Sequence, residues 1–118
     1  MSRFAESIIQ GLEYLHQNKI VHGSLKSANI FVVSLGQCKI ADYGQIKHIC
    51  SMSSKKSLVN SSIFWLAPEL IYSPSGRESP THSRFSDIWS LGCVIFELLT
   101  GMPPFSEFDE LALLMKMA

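Results

Sequence analysis

Apolar residues recur at helical spacing from the start of the chain, at Phe4, Ile8, Leu12 and Leu15, and predict an amphipathic helix running to about Asn18. Lys19-Ile20-Val21 reads as a short strand after it. Two β-rich runs follow, Ile30-Phe31-Val32-Val33 and Cys38-Lys39-Ile40, on either side of Ser34-Leu35-Gly36-Gln37, and predict a hairpin. From Gly44 to Leu66 the pattern loses its period and turns polar and serine-rich, which predicts a long loop of the kind that carries function. A short helix is expected over Ala67 to Tyr72, then a surface loop from Ser73 to Ser83, where Pro74, Gly76 and Pro80 fall. Ser86 offers an N-cap for a helix through Thr100, with Gly101 closing it and Pro103-Pro104 stopping it. Ile88, Trp89, Leu91, Val94, Ile95, Phe96, Leu98 and Leu99 surround nearly all of that helix, and a helix apolar on every side is a buried central one. Ser106 and Asp109 form a capping-box-like start to a last helix, Glu107 to Met117.

The composition adds bounds to this outline. At 118 residues, 47% hydrophobic and 17% charged, the chain suits one globular domain rather than two or a disordered segment. Ten basic residues balance ten acidic ones, so no overall field directs it to nucleic acid or to an acidic membrane. The acids are unevenly placed: none lies between Asp42 and Glu69, while Lys47, His48, Lys55 and Lys56 do. Three cysteines, Cys38, Cys50 and Cys93, are an odd number without CxxC spacing, which argues against a disulfide scaffold or a zinc site and for a reducing compartment. The run Leu91 to Leu99 is interrupted by Glu97 and is about half the ~20 residues a spanning helix requires. A soluble cytoplasmic protein is the expectation.

Four short motifs now fall in a definite order. They are His22-Gly23-Ser24-Leu25-Lys26-Ser27-Ala28-Asn29, then Asp42-Tyr43-Gly44 thirteen residues after Asn29, then Ala67-Pro68-Glu69, then Asp87-Ile88-Trp89-Ser90-Leu91-Gly92. Each is weak alone, since a DYG tripeptide is usually a turn and APE occurs by chance. In this order, with these elements between them, the set resembles the protein kinases: the catalytic loop HRDLKxxN, the DFG motif, APE and the DxWSxG start of the buried helix. The stretches Gly11 to His16 and Phe64-Trp65-Leu66 are most similar to the mitogen-activated protein kinase kinase kinase branch. The resemblance implies a mainly α fold over residues 1–118, a partial kinase-like C-lobe with helices around a buried central helix and a small β-hairpin region.

The resemblance also assigns roles. Asn29 and Asp42 match the two magnesium ligands, and Lys26 matches the lysine that steadies the transferred phosphate in serine/threonine kinases. Asp87 matches the carboxylate that holds the catalytic-loop backbone, and His22 a packed structural residue. Ser24 stands where the family has its catalytic aspartate, and a hydroxyl neutral near pH 7 cannot act as a carboxylate base. Gly23 stands where the family has an arginine that receives an activation-loop phosphate, so phosphorylation at Ser51, Ser53, Ser54 or Ser57 has no evident receiver there. Ser62 falls where the family keeps a hydroxyl near the substrate loop, with Ile63 in place of the usual proline. Glu97 matches a position that contacts basic substrates, or else is a satisfied core carboxylate. Glu69 is expected to lack its usual arginine partner, which would leave a buried carboxylate unpaired.

Taken as a whole, the chain is expected to lack an N-lobe, and Mg2+ and ATP, the cofactors implied by the family, are expected to bind weakly or not at all. A pseudokinase-like regulatory or scaffold module leads the functional expectations. A fragment of an active ATP-dependent serine/threonine kinase and a truncated product without function are the alternatives. Partners are expected to be proteins, signalling kinases or their substrates, with self-association through exposed apolar faces and neither nucleic acid nor membrane.

Overall fold

The computed structural model describes residues 2–42, 63–71 and 81–117. The chain opens with α1, Ser2–Gln17, whose apolar stripe is buried at Ile8, Leu12 and Leu15 and partly covered at Phe4. The expected strand at 19–21 is absent, because its backbone closes the helix instead. Lys19 takes a left-handed φ of 59°, its N–H donates to His16 O at 3.0 Å, and Ile20 N–H reaches back to Leu15 O at 2.9 Å. That pair of bonds is a Schellman closure, which uses up the amides a strand would need.

The hairpin forms as expected, from β1, Ile30–Ser34, and β2, Gln37–Ile40, paired antiparallel with Ile30 opposite Ile40. Its inner side lies on α1. Ser7 Oγ accepts from Cys38 N at 3.0 Å and donates to Cys38 O at 3.1 Å, so one hydroxyl satisfies both backbone groups of an edge residue. The turn Leu35-Gly36 requires Gly36 at a φ of 78°, and a Cβ there would sit 3.1 Å from Arg3 side-chain atoms. Gly36→Ala is therefore expected to cost about 1–2 kcal/mol. A urea midpoint unchanged by this substitution would refute the strained geometry.

Three further helices follow among the described residues: α2, Pro68–Ile71; α3, Arg84–Thr100; and α4, Glu110–Met117. A 3-10 turn at Ile63–Trp65 precedes α2, within the stretch to Leu66 that the sequence pattern assigns to a loop. The cap of α3 is Ser83 rather than Ser86. Ser83 Oγ accepts from Ser86 N and Ser86 Oγ from Ser83 N, a reciprocal box in which Ser86 is the third helical residue. Gly101 closes α3 at a φ of 84°, as expected. Helix α4 starts three residues later than expected, capped by Asp109, whose Oδ1 accepts from Ala112 N at 2.7 Å, while Ser106 lies in the turn before it.

Ile8, Leu12, Leu25, Leu91 and Val94 form the core, with Ile30, Ile40, Trp65 and Ile95 packed on it. Each fully buried aliphatic side chain contributes roughly 1.5–3 kcal/mol by its transfer from water. Helix α3 differs from expectation in being buried on one face only. Leu91, Cys93 and Val94 are covered, whereas Phe85 is 79% and Leu99 63% exposed. Its inner face meets α1 and the 63–65 turn, while Phe85, Ile88 and Leu99 on its other side are more than half exposed. No helix among the described residues is long and apolar enough to cross a membrane. Tyr43-Gly44 and the polar stretch after them, with Cys50, its serines and Ser62, lie outside the described residues, as does the loop from Ser73 to Pro80.

Candidate functional site

The loop His22 to Asn29 leaves the end of α1 and is held from within and from behind. Within it, Asn29 Nδ2 donates to Ser24 O at 2.7 Å, and Asn29 N to Lys26 O at 3.0 Å as part of a 3-10 turn, Ser27–Asn29. From behind, the Asp87 carboxylate on α3 takes both backbone amides of the loop's start. Oδ2 accepts from His22 N at 2.8 Å and Oδ1 from Gly23 N at 2.9 Å. His16 Nε2, on α1, adds a third contact to Oδ2 at 2.8 Å. Asp87 is 1% exposed, so three donors share one buried carboxylate. Gly23 adopts a φ of 78°, a left-handed conformation that a residue without Cβ takes at no steric cost.

His22 is fully buried and fixed in one tautomer. Ser24 N–H donates to its Nδ1 at 3.0 Å, so the proton resides on Nε2, which faces Ala41 O at 2.8 Å. Burial pushes its pKa below the ordinary 6.5, against smaller opposing effects of the Ala41 carbonyl, Asp87 and Asp42. Burial also lowers His82, with Asp87 opposing it. Both histidines take up protons more readily when unfolded than when folded. Their stabilising effect is therefore complete above about pH 6.5 and is lost as pH falls below it. The urea midpoint is expected to drop between about pH 7 and pH 5, and to drop less in His82→Gln. A midpoint that stays level or rises over that range would contradict the assignment.

The hairpin brings two of the expected site residues to one place. Asn29 immediately precedes β1, Ala41 follows β2, and Ala41 N donates to Asn29 O at 2.8 Å. Asp42 comes next, exposed and left-handed with a φ of 60°. Asn29, 8% exposed, commits its amide nitrogen to Ser24 O, which leaves its oxygen as a donor atom for a cation. An amide oxygen and a carboxylate at one end of a hairpin fit a hard divalent ion whose shell is completed by phosphate and water. No group of three or more His, Cys, Asp or Glu able to enclose a metal occurs among the described residues. Ser24 and Lys26 lie partly buried on the intervening loop, and the hydrogen bonds described for Ser24 use its backbone atoms.

Of two further carboxylates, Glu69 departs from expectation and Glu97 takes the second of its two expected roles. Glu69 is exposed on α2, so its carboxylate suffers no desolvation and needs no buried partner. Glu97 is a satisfied carboxylate, accepting from Ser27 Oγ and from Trp65 Nε1, each at 3.1 Å. Sequence reasoning misses three others. His16 touches Asp87, Ser27 touches Glu97, and Ser90 Oγ donates to Trp65 O at 2.6 Å. Only the place of His16 on the inner side of α1, four residues after Leu12, signals a buried contact. Cys93 is buried, which raises its thiol pKa to about 11, and is inert rather than nucleophilic.

Known proteins carry the same arrangement of sequence. The chain is 43% identical over 114 residues to mitogen-activated protein kinase kinase kinase 5 of Arabidopsis thaliana, covering 96% of this chain and 16% of that protein. It is 40% identical over 112 residues to mitogen-activated protein kinase kinase kinase A of Dictyostelium discoideum, covering 95% and 11%. With mitogen-activated protein kinase kinase kinase 3 of Homo sapiens it shares 37% over 119 residues, covering 98% and 18%. The chain thus spans less than a fifth of the length of these curated relatives. The model of the protein kinase domain matches residues 1–117. With the loop, hairpin and central helix in the order that family requires, the chain belongs to the protein kinase domain family and forms part of its C-lobe.

Proposed function

We propose that this chain is a pseudokinase-like regulatory or scaffold module, a kinase C-lobe segment that presents its surface to signalling proteins without transferring phosphate. The observation that carries the reading is Ser24. In phosphoryl transfer by this family the loop aspartate accepts the substrate hydroxyl's proton and orients that hydroxyl. A serine there offers a neutral hydroxyl on a shorter side chain. The loop around it keeps its form through Asp87, His22 and Asn29, so its frame is retained while its base is not. Partners of this module are proteins, and its exposed apolar residues on α3 favour association with them or with a second copy.

A second reading is favoured by one observation, the meeting of Asn29 with the residue before Asp42 at the hairpin end. In that reading the segment belongs to an active kinase, with Asn29 and Asp42 holding magnesium and Lys26 contacting phosphate. Magnesium and ATP would supply the charge neutralisation and the phosphoryl group when bound. The test joins the chain to the N-terminal lobe of a mitogen-activated protein kinase kinase kinase. The first reading expects no phosphate transfer by that chimera. Transfer that disappears in Asp42→Ala would establish the second.

A further inference from the structure

The Glu97 carboxylate, partly buried on α3, receives one hydrogen bond on each oxygen from a different segment. Ser27 Oγ donates to Oε1 at 3.1 Å and Trp65 Nε1 to Oε2 at 3.1 Å. Ser27 opens the 3-10 turn between Lys26 and Asn29, so it moves with the residues of the candidate site. Trp65 ends the 3-10 turn at 63–65, just ahead of Ala67-Pro68-Glu69. It is also fixed by Ser90 through its carbonyl and stacks edge-to-face on Phe64 at 6.2 Å. Charge-assisted bonds to a carboxylate are stronger than those between neutral groups. The indole N–H has one fixed direction, while the exposed Ser27 hydroxyl rotates to meet Oε1. The turn at 63–65 therefore has two ties to α3, of which only the indole tie shares its acceptor with the loop.

We propose that Ser27 is a positioning residue which, through Glu97, latches the loop turn at 27–29 to the turn at 63–65. Loss of the Ser27 hydroxyl leaves Glu97 with one directional partner, frees its carboxylate to turn, and loosens the indole of Trp65. The latch does not depend on the absence of phosphate transfer, since it uses neither Ser24 nor a bound nucleotide.

The chain's two tryptophans make the test internal, because Trp89 reports on the same helix without a described bond to Glu97. Indole N–H signals of Trp65 and Trp89 are recorded by NMR in the 118-residue chain, in Ser27→Ala and in Ser27→Thr. In Ser27→Ala the Trp65 signal is expected to move and its hydrogen exchange to quicken about tenfold, the scale of one hydrogen bond to a charged group. The Trp89 signal stays in place, and Ser27→Thr, which keeps the hydroxyl, restores the Trp65 signal. An unmoved Trp65 signal in Ser27→Ala, or equal movement of Trp89, overturns the latch. Should Ser27→Ala fail to fold, Trp65→Phe is read at the Ser27 amide: movement there supports the coupling, and none overturns it.

Discussion

Ser24→Asp is expected to raise phosphate transfer by the chimera described above by roughly 10²–10⁴-fold, the range a positioned general base contributes. That corresponds to about 3–5 kcal/mol of barrier. The substitution is well placed to report on chemistry alone. The described bonds of Ser24 run from its backbone N–H to His22 Nδ1 and from Asn29 Nδ2 to its carbonyl, and neither needs the hydroxyl. The side chain is partly exposed, so a carboxylate there keeps access to water. The measurement is phosphate incorporation into a protein substrate by the chimera and by its Ser24→Asp variant at equal concentration, with Asp42→Ala as background. Equal turnover by the two would remove Ser24 as the reason for proposing a silent site.

The second large effect concerns stability. Asp87→Ala is expected to cost about 3–5 kcal/mol, the scale seen when one partner of a buried charged network is deleted. Three donors lose their acceptor at once: the amides of His22 and Gly23, and His16 Nε2. The first belongs to a residue with no solvent exposure, so water cannot readily replace the lost bond. Asp87→Asn keeps one carbonyl oxygen and should fall between the two, at about 1–2 kcal/mol. Urea denaturation followed by circular dichroism measures both. Against the 5–15 kcal/mol of a typical domain, the alanine variant would lose a large share of its stability. A loss under about 1 kcal/mol in Asp87→Ala would mean that the three donors find other acceptors.

Elements with a strong period are legible in the sequence. The stripe Phe4, Ile8, Leu12, Leu15 predicts α1, and the paired β-rich runs around Leu35-Gly36 predict the hairpin. Pattern and structure part where a residue has two local uses. Ser83 and Ser86 can each cap a helix, and the reciprocal bonding that decides between them involves two serines rather than the more recognisable serine and glutamate. Lys19 is an unremarkable residue for a helix closure, so its left-handed backbone leaves no trace in the pattern. The apolar girdle of α3 reports what the helix is suited to bury, whereas its exposure depends on which segments lie against it.

At the site, the motif order places Asn29, Asp42 and Asp87 along the chain, and the geometry supplies the contacts. The helical position of His16 signals burial but not its partner, and Ser27 carries no signal, because each acts on a carboxylate far away along the chain. No local pattern encodes such a pairing. Glu69 departs from expectation for the complementary reason, since a carboxylate's burial is a property of its neighbours and not of its motif.

The anchor of the loop lies 65 positions downstream of the amide it receives at His22. During synthesis the loop residues emerge long before α3 exists, and until then the amides of His22 and Gly23 lack the carboxylate that receives them. The shape of this segment is thus a late product of folding, with the entropy of closing a long stretch of chain to be overcome first. Local helix formation by α1 and the bonds of Asn29 to Ser24 and Lys26 can precede it, while the anchoring of His22 and Gly23 has to wait for the second half of the chain.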